Sequence, residues 1–176
     1  MDELVDARCF KINWQDCISH ITSDILTKCL EKLPKGDGAQ SIEDLVRLIH
    51  FQVQENNNVK SVEEDKSGLV LRYFDDDQKK WYTEDKDKIL RQMVHRPRQM
   101  LNDHFCSNMP DFERDFTKAL FDFVQRWFVR TRNTRSPSYK RLMDIVSSLI
   151  QNVEQRLESE QQVYDDDQDS DDTEHI

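Results

Sequence analysis

A chain of 176 residues has the length of one ordinary domain and can bury well over half of the surface that it exposes when unfolded. Leu, Ile, Val and Phe supply 45 of those residues, above the roughly one-fifth share below which a highly charged chain stays disordered. A packed core is therefore expected, although 34% of the residues are charged and the mean hydropathy is −0.84. The net charge of −10 is uneven, because residues 165–176 hold six Asp and one Glu without a Lys or Arg, which leaves the preceding residues near −3. The overall acidity is thus no argument against a basic surface on the folded body.

The opening Met1-Asp2-Glu3-Leu4-Val5-Asp6 has neither the basic and apolar segments of a secretory signal nor the Arg-rich bias of a mitochondrial presequence. No run of 18 apolar residues occurs, so no spanning helix and no membrane partner are expected. The chain reads as intracellular, in nucleus or cytoplasm, with Cys9, Cys17, Cys29 and Cys106 as reduced thiols.

Residues 14–33 place Trp14, Cys17, Ile18, Ile21, Ile25, Cys29, Leu30 and Leu33 at steps of three and four, the stripe of an amphipathic helix. Pro34-Lys35-Gly36-Asp37-Gly38 stops it and supplies a turn. Ser41, with Asp44 three residues on, is the expected N-cap of a second helix whose buried face is Ile42, Leu45, Val46, Ile49 and Val53, ending at Asn56-Asn57-Asn58. The β-branched and aromatic run Leu69-Val70-Leu71-Arg72-Tyr73-Phe74, followed after three Asp and a Gln by Lys79-Lys80-Trp81-Tyr82-Thr83, predicts a β-hairpin. Such a ribbon needs a partner to persist, so Phe74 or Trp81 should face the helices.

Thr83 is the expected cap of a third helix through Ile89, Leu90, Met93 and Val94, which Pro97 interrupts or kinks before Met100, Leu101, His104 and Phe105. After Pro110, the spacing of Phe112, Phe116, Leu120, Phe123, Val124, Trp127 and Phe128 predicts one continuous fourth helix. Ser136 and Pro137 fit the N-cap and first position of a last helix carrying Leu142, Ile145, Val146, Leu149, Val153 and Leu157. Beyond Val163 only Tyr164 and Ile176 interrupt a polar, acidic segment. Together these elements predict a mainly α fold: a single helical-bundle domain of about five helices over residues 1–163, with a small β-hairpin at residues 69–83, followed by a disordered acidic tail at 164–176.

Only Gly36, Gly38 and Gly68 occur, and no phosphate-cradling loop or nucleophile elbow is present. Cys17, His20, His104 and Cys106 lack the short pairs of a structural zinc site. Cys106 and His104 stand on different sides of a helix and lack an orienting third group. The runs Asp75-Asp76-Asp77 and Asp165-Asp166-Asp167 lack the glycine and distal glutamate of a calcium loop. No enzyme activity, metal or cofactor is expected.

The sharper signal is basic. Arg126, Arg130, Arg132, Arg135, Lys140 and Arg141 fall within residues 126–141 without an acid, and His95, Arg96 and Arg98 could join them in space. With Phe121 and Trp127, this composition matches an interface rim in which arginine and aromatic side chains anchor a protein partner. The expected binding residues are Phe121, Arg126, Trp127, Arg130, Arg132, Arg135, Lys140 and Arg141. The function expected is that of a non-catalytic adaptor or complex subunit. The alternative is a nucleic-acid-associated factor using the same segment, with its acidic tail competing for it. Ser136, before Pro137 and among arginines, and Ser170, among acids, are candidate phosphorylation sites that would subtract charge from the patch or add it to the tail.

Overall fold

The computed structural model describes residues 21–51, 59–65, 68–75 and 80–169, with the backbone alone over 59–84 and 154–169. The fold is mainly helical. In chain order the described elements are α1 (Ser23–Glu31), α2 (Ala39–His50), β1 (Val59–Asp65), β2 (Gly68–Asp75), β3 (Lys80–Asp85), α3 (Lys86–Ser107), α4 (Met109–Asp115), α5 (Lys118–Arg132) and α6 (Pro137–Asp169).

Helix α1 begins later than its apolar stripe predicts. Thr22 has extended dihedrals and its hydroxyl accepts from the Ile25 N–H at 3.3 Å, so the first turn is capped there. Residues 14–20, with Cys17 and His20, lie outside the described residues. Helix α2 in turn begins two residues before the expected cap. Its N-cap is Gly38, while Ser41 is buried inside the first turn and donates its hydroxyl to the Cys29 carbonyl at 2.6 Å. That bond occupies a carbonyl near the end of α1, where helices run out of internal donors. Asp44, rather than completing a capping box, takes Lys32 at 2.7 Å and Gln40 at 2.9 Å. The face Ile42, Leu45, Val46 and Ile49 is fully buried, as its spacing predicts; Val53 and Asn56-Asn57-Asn58 lie outside the described residues.

The three strands form an antiparallel sheet in the order β1-β2-β3, with Phe74 paired to Trp81 and an irregularity between Val62 and Asp65. Strand β1 has no counterpart among the elements expected from the sequence. It lies against α6, while β2 and β3 lie against α3. Which face Phe74 and Trp81 present lies outside the described residues.

Asp85, not Thr83, caps α3, accepting from the N–H groups of Asp87 at 2.9 Å and Lys88 at 3.3 Å. Thr83 instead pairs with Arg72 in the sheet. Helix α3 runs through Pro97 without ending, and the ring is buried. The expected single helix over 112–128 is two helices. Phe116 is extended, with ψ of 150°, and its ring stacks on Phe112 at 4.7 Å. Thr117 then caps α5 by accepting from Leu120 N–H at 3.2 Å. Here packing of two phenylalanines outweighs a periodicity that fits either arrangement.

Ser136 caps α6, its hydroxyl oxygen accepting from Tyr139 N–H at 3.1 Å, with Pro137 in the first turn as expected. The helix then runs to Asp169, past residue 164 where the folded body was expected to end. No Gly or Pro follows Pro137 in α6, and extending a formed helix adds one hydrogen bond per residue, whereas starting one is costly. Residues 170–176 lie outside the described residues.

Leu30, Leu33, Ile42, Leu45, Ile49, Ile89, Met93, Leu101, Phe105, Trp127 and Leu142 are the largest fully buried side chains, so α1, α2, α3, α5 and α6 share one core. Phe105 joins it to an aromatic group, with Phe112, Phe121 and Phe128 at 5.4 to 5.8 Å.

Candidate interaction surface

One end of the bundle is organised by the turn between α1 and α2. Gly36, Asp37 and Gly38 all adopt positive φ, at 62°, 55° and 87°, and two glycines make that backbone inexpensive. Gly38 also has no room for a side chain, because a Cβ there would run into the Trp127 indole. This close approach lets the Trp127 Nε1–H donate to the Asp37 carbonyl at 2.8 Å. The Asp37 carboxylate is used as well: Arg130 donates to one oxygen at 2.6 Å and Ser138 to the other at 2.9 Å. Asp37 thus ties the α1–α2 turn to the last turns of α5 and the first of α6. The guanidinium of Arg130 also lies 5.4 Å from the Phe123 ring centroid, within cation–π range.

A second arrangement lies on the other side of the α5 terminus. Arg98 reaches from α3, its Nε donating to Thr131 Oγ1 at 2.8 Å and Nη2 to the Phe128 carbonyl at 2.5 Å, with the Phe128 ring 5.8 Å away. Thr131 passes the interaction on by donating to the Trp127 carbonyl at 2.8 Å. A cation here offsets the partial negative charge of a helix C-terminus. Burial, and then Arg132 nearby, hold the Arg98 guanidinium below the usual arginine value. Burial lowers His95 as well, with Arg98 and Arg96 adding to the effect. Tyr139, whose hydroxyl donates to the Arg91 carbonyl at 3.5 Å, is raised by burial, while Arg91 and Arg98 oppose the shift.

The residues expected to bind a partner therefore divide. Trp127 is fully buried and spends its only polar hydrogen on Asp37, so it is a core residue. Phe121 is half-buried against Phe105, with centroids 5.4 Å apart. Trp127 is thus taken by the core, as large aromatic rings at helical spacing commonly are. Arg130 is half-exposed and paired with Asp37. Arg126, Arg132, Arg135, Lys140 and Arg141 are exposed. Arg141 borders an open groove of about 320 Å³ whose other lining includes Glu43, Asp144, Ile145 and Leu149. Ser136 is half-buried and serves as a cap, and Ser170 lies outside the described residues.

Val129 was not among the expected residues. It is 74% exposed, and among the described residues it is the large apolar side chain standing out in solvent. Arg126 and Arg132, both exposed, neighbour it on the surface of α5 at a spacing of three on either side. Asp37 was also missed as an organiser. Its position between two glycines marked a turn, yet nothing in the sequence pointed across some ninety residues to Arg130 and Trp127.

Among the described residues no group of three or more His, Cys, Asp or Glu side chains could hold a metal ion. His104 bonds to Thr27 at 2.9 Å, and Cys106 is an exposed free thiol. Among the described residues no helix is long and apolar enough to cross a membrane. Compared with protein-family models, with curated proteins and with solved structures, the chain has no match in any of the three.

Proposed function

We propose that this chain is a non-catalytic helical adaptor or complex subunit that docks a protein partner on the outer face of α5 and the start of α6. The observation that carries the reading is Val129, 74% exposed with the exposed Arg126 and Arg132 three positions away on either side. Arg135, Lys140 and Arg141 extend the basic rim onto the next helix. An apolar contact ringed by arginines suits a partner segment that is itself apolar and acidic.

The same exposed cations favour a second reading, a nucleic-acid-associated factor whose acidic residues 165–176 compete for the patch. Pull-downs with the full chain and with a variant carrying Val129→Asp and Arg126→Glu test the first reading. Loss of specific partners, with the circular dichroism of the variant unchanged, is the expected result; recovery of the same partners overturns it. Oligonucleotide binding that falls steeply with salt and tightens on deletion of residues 165–176 would favour the second reading. Failure to bind at low salt removes it.

A further inference from the structure

Helix α6 is 33 residues long and continuous, and its charges are sorted along it. Lys140 and Arg141 are exposed near its start, with the exposed Arg135 just before it. Residues 154–169, by contrast, hold three Glu and four Asp against one Arg. At 1.5 Å of rise per residue, Arg141 and Asp166 stand about 38 Å apart along the axis. Salt confines the reach of exposed charges to roughly 8 Å. One continuous helix therefore cannot bring its acidic end to its own basic start, whereas a second helix can.

The first half of α6 has room for that second helix. Leu142, Val146, Leu149 and Ile150 are spent on the core. Arg141, Ile145, Ser148 and Asn152 recur at steps of four, three and four and so share another face. Together they line the open groove of about 320 Å³ that Glu43 of α2 borders, and Ile145 is only half-buried in it. The same steps of three and four continue through Arg156, Ser159, Val163 and Asp166. Turned end for end about a point beside Val153, this row sets Arg141 opposite Asp166, Ile145 opposite Val163, Ser148 opposite Ser159 and Asn152 opposite Arg156. Opposite charges meet, apolar meets apolar and polar meets polar. A parallel pair would instead set Arg141 on Arg141 and Asp166 on Asp166, which like-charge repulsion disfavours.

We propose that two copies of this chain pair antiparallel along α6, each laying residues 156–166 in the groove of the other. The contact is isologous, so both charged ends are answered at once. Arg135 and Lys140 add cations to each basic start, beside the partner's acidic end. The pairing rests on the reading of the start of α6 as part of a docking surface, and it names the occupant there as a second copy.

Sedimentation equilibrium of the full chain, purified alone, tests this. A monomer–dimer equilibrium that weakens as salt is raised is expected. Arg141→Glu and Asp166→Lys each set like charges opposite one another twice per dimer and should raise the dimer Kd about tenfold. An equimolar mixture of these two variants should regain the wild-type affinity, because in the mixed dimer both ends again pair opposite charges. A chain that stays monomeric at every concentration overturns the proposal and leaves the groove to a different protein. A mixture no tighter than its separate variants overturns it too, as does an equal loss in Arg126→Glu, a cation on α5 outside the row, which would mark diffuse attraction. Arg141 is exposed, and unchanged circular dichroism of each variant separates loss of pairing from loss of fold. Neither Val129 nor Arg126 belongs to the row, so a monomeric chain would leave the pull-down result at the Val129 face standing.

Discussion

Arg130 and Arg132 lie two residues apart on α5 and meet opposite surroundings. Arg130 turns to Asp37, an acid held in a turn by two glycines and shared with Ser138, so its charge is largely answered. Arg132 is exposed, and after burial its charge is the next influence that holds the Arg98 guanidinium below its usual value. A helix advances about 100° per residue, so a run of positive charge in the sequence is divided between two faces, one answered inside the molecule and one exposed. Net charge along a segment is therefore a poor guide to which of its residues bind.

The comparison is broken most severely through Trp127, which belongs to both regions: its indole supports Asp37, and its carbonyl accepts from Thr131 beneath Arg98. Trp127→Ala should cost about 3–5 kcal/mol, seen as a lower urea midpoint with little change in slope. The central charges should then separate the two regions. Arg98→Met strips the Phe128 carbonyl and the Thr131 hydroxyl of a charged donor and should cost about 1–3 kcal/mol. Asp37→Asn, which keeps a residue tolerant of positive φ, should cost only roughly 0.2–1 kcal/mol, because the Arg130 pair is half-exposed and screened. Urea denaturation of the two variants that ranked them in the reverse order would show that the Asp37 turn, not the pair of Arg98 bonds, carries the greater stability.

The smallest expected effect is a pH dependence carried by His95 and His104. Burial and the flanking Arg98 and Arg96 lower His95 from its ordinary value of 6.5. As the pH falls below that value the unfolded chain takes the proton first, so folded stability declines until the pH has passed the lowered folded value. Burial lowers His104 in the same direction. Urea midpoints measured stepwise from neutral to mildly acidic pH should therefore fall, and His95→Gln should flatten part of that slope. Asp37→Asn should leave the slope between wild type and His95→Gln unaltered.

Several features were legible because they depend on neighbours in the chain. Ile42, Leu45, Val46 and Ile49 announce a buried face by spacing alone, and Ser136-Pro137 announces a helix start because capping involves only the next three residues. Ser41 and Thr83 misled for the opposite reason. Each has the chemistry of a cap, but Ser41 is claimed by the Cys29 carbonyl of the preceding helix and Thr83 by a strand partner. The break at Phe116 was hidden because the apolar spacing continues through it, and the stacking on Phe112 that favours it appears only once both rings share a core.

By itself, then, the sequence determined that the chain is mainly helical, where most of its apolar faces lie, and that cations concentrate near the junction of the last two helices. Periodicity and composition carry that much, since they express preferences of single residues and of close neighbours. Only the tertiary structure decided that Trp127 is core, that Asp37 answers Arg130, and that Arg98 crosses from α3 to stand beside Arg132. Those outcomes depend on which helix ends meet, and contacts between residues thirty to ninety positions apart leave no local pattern to read.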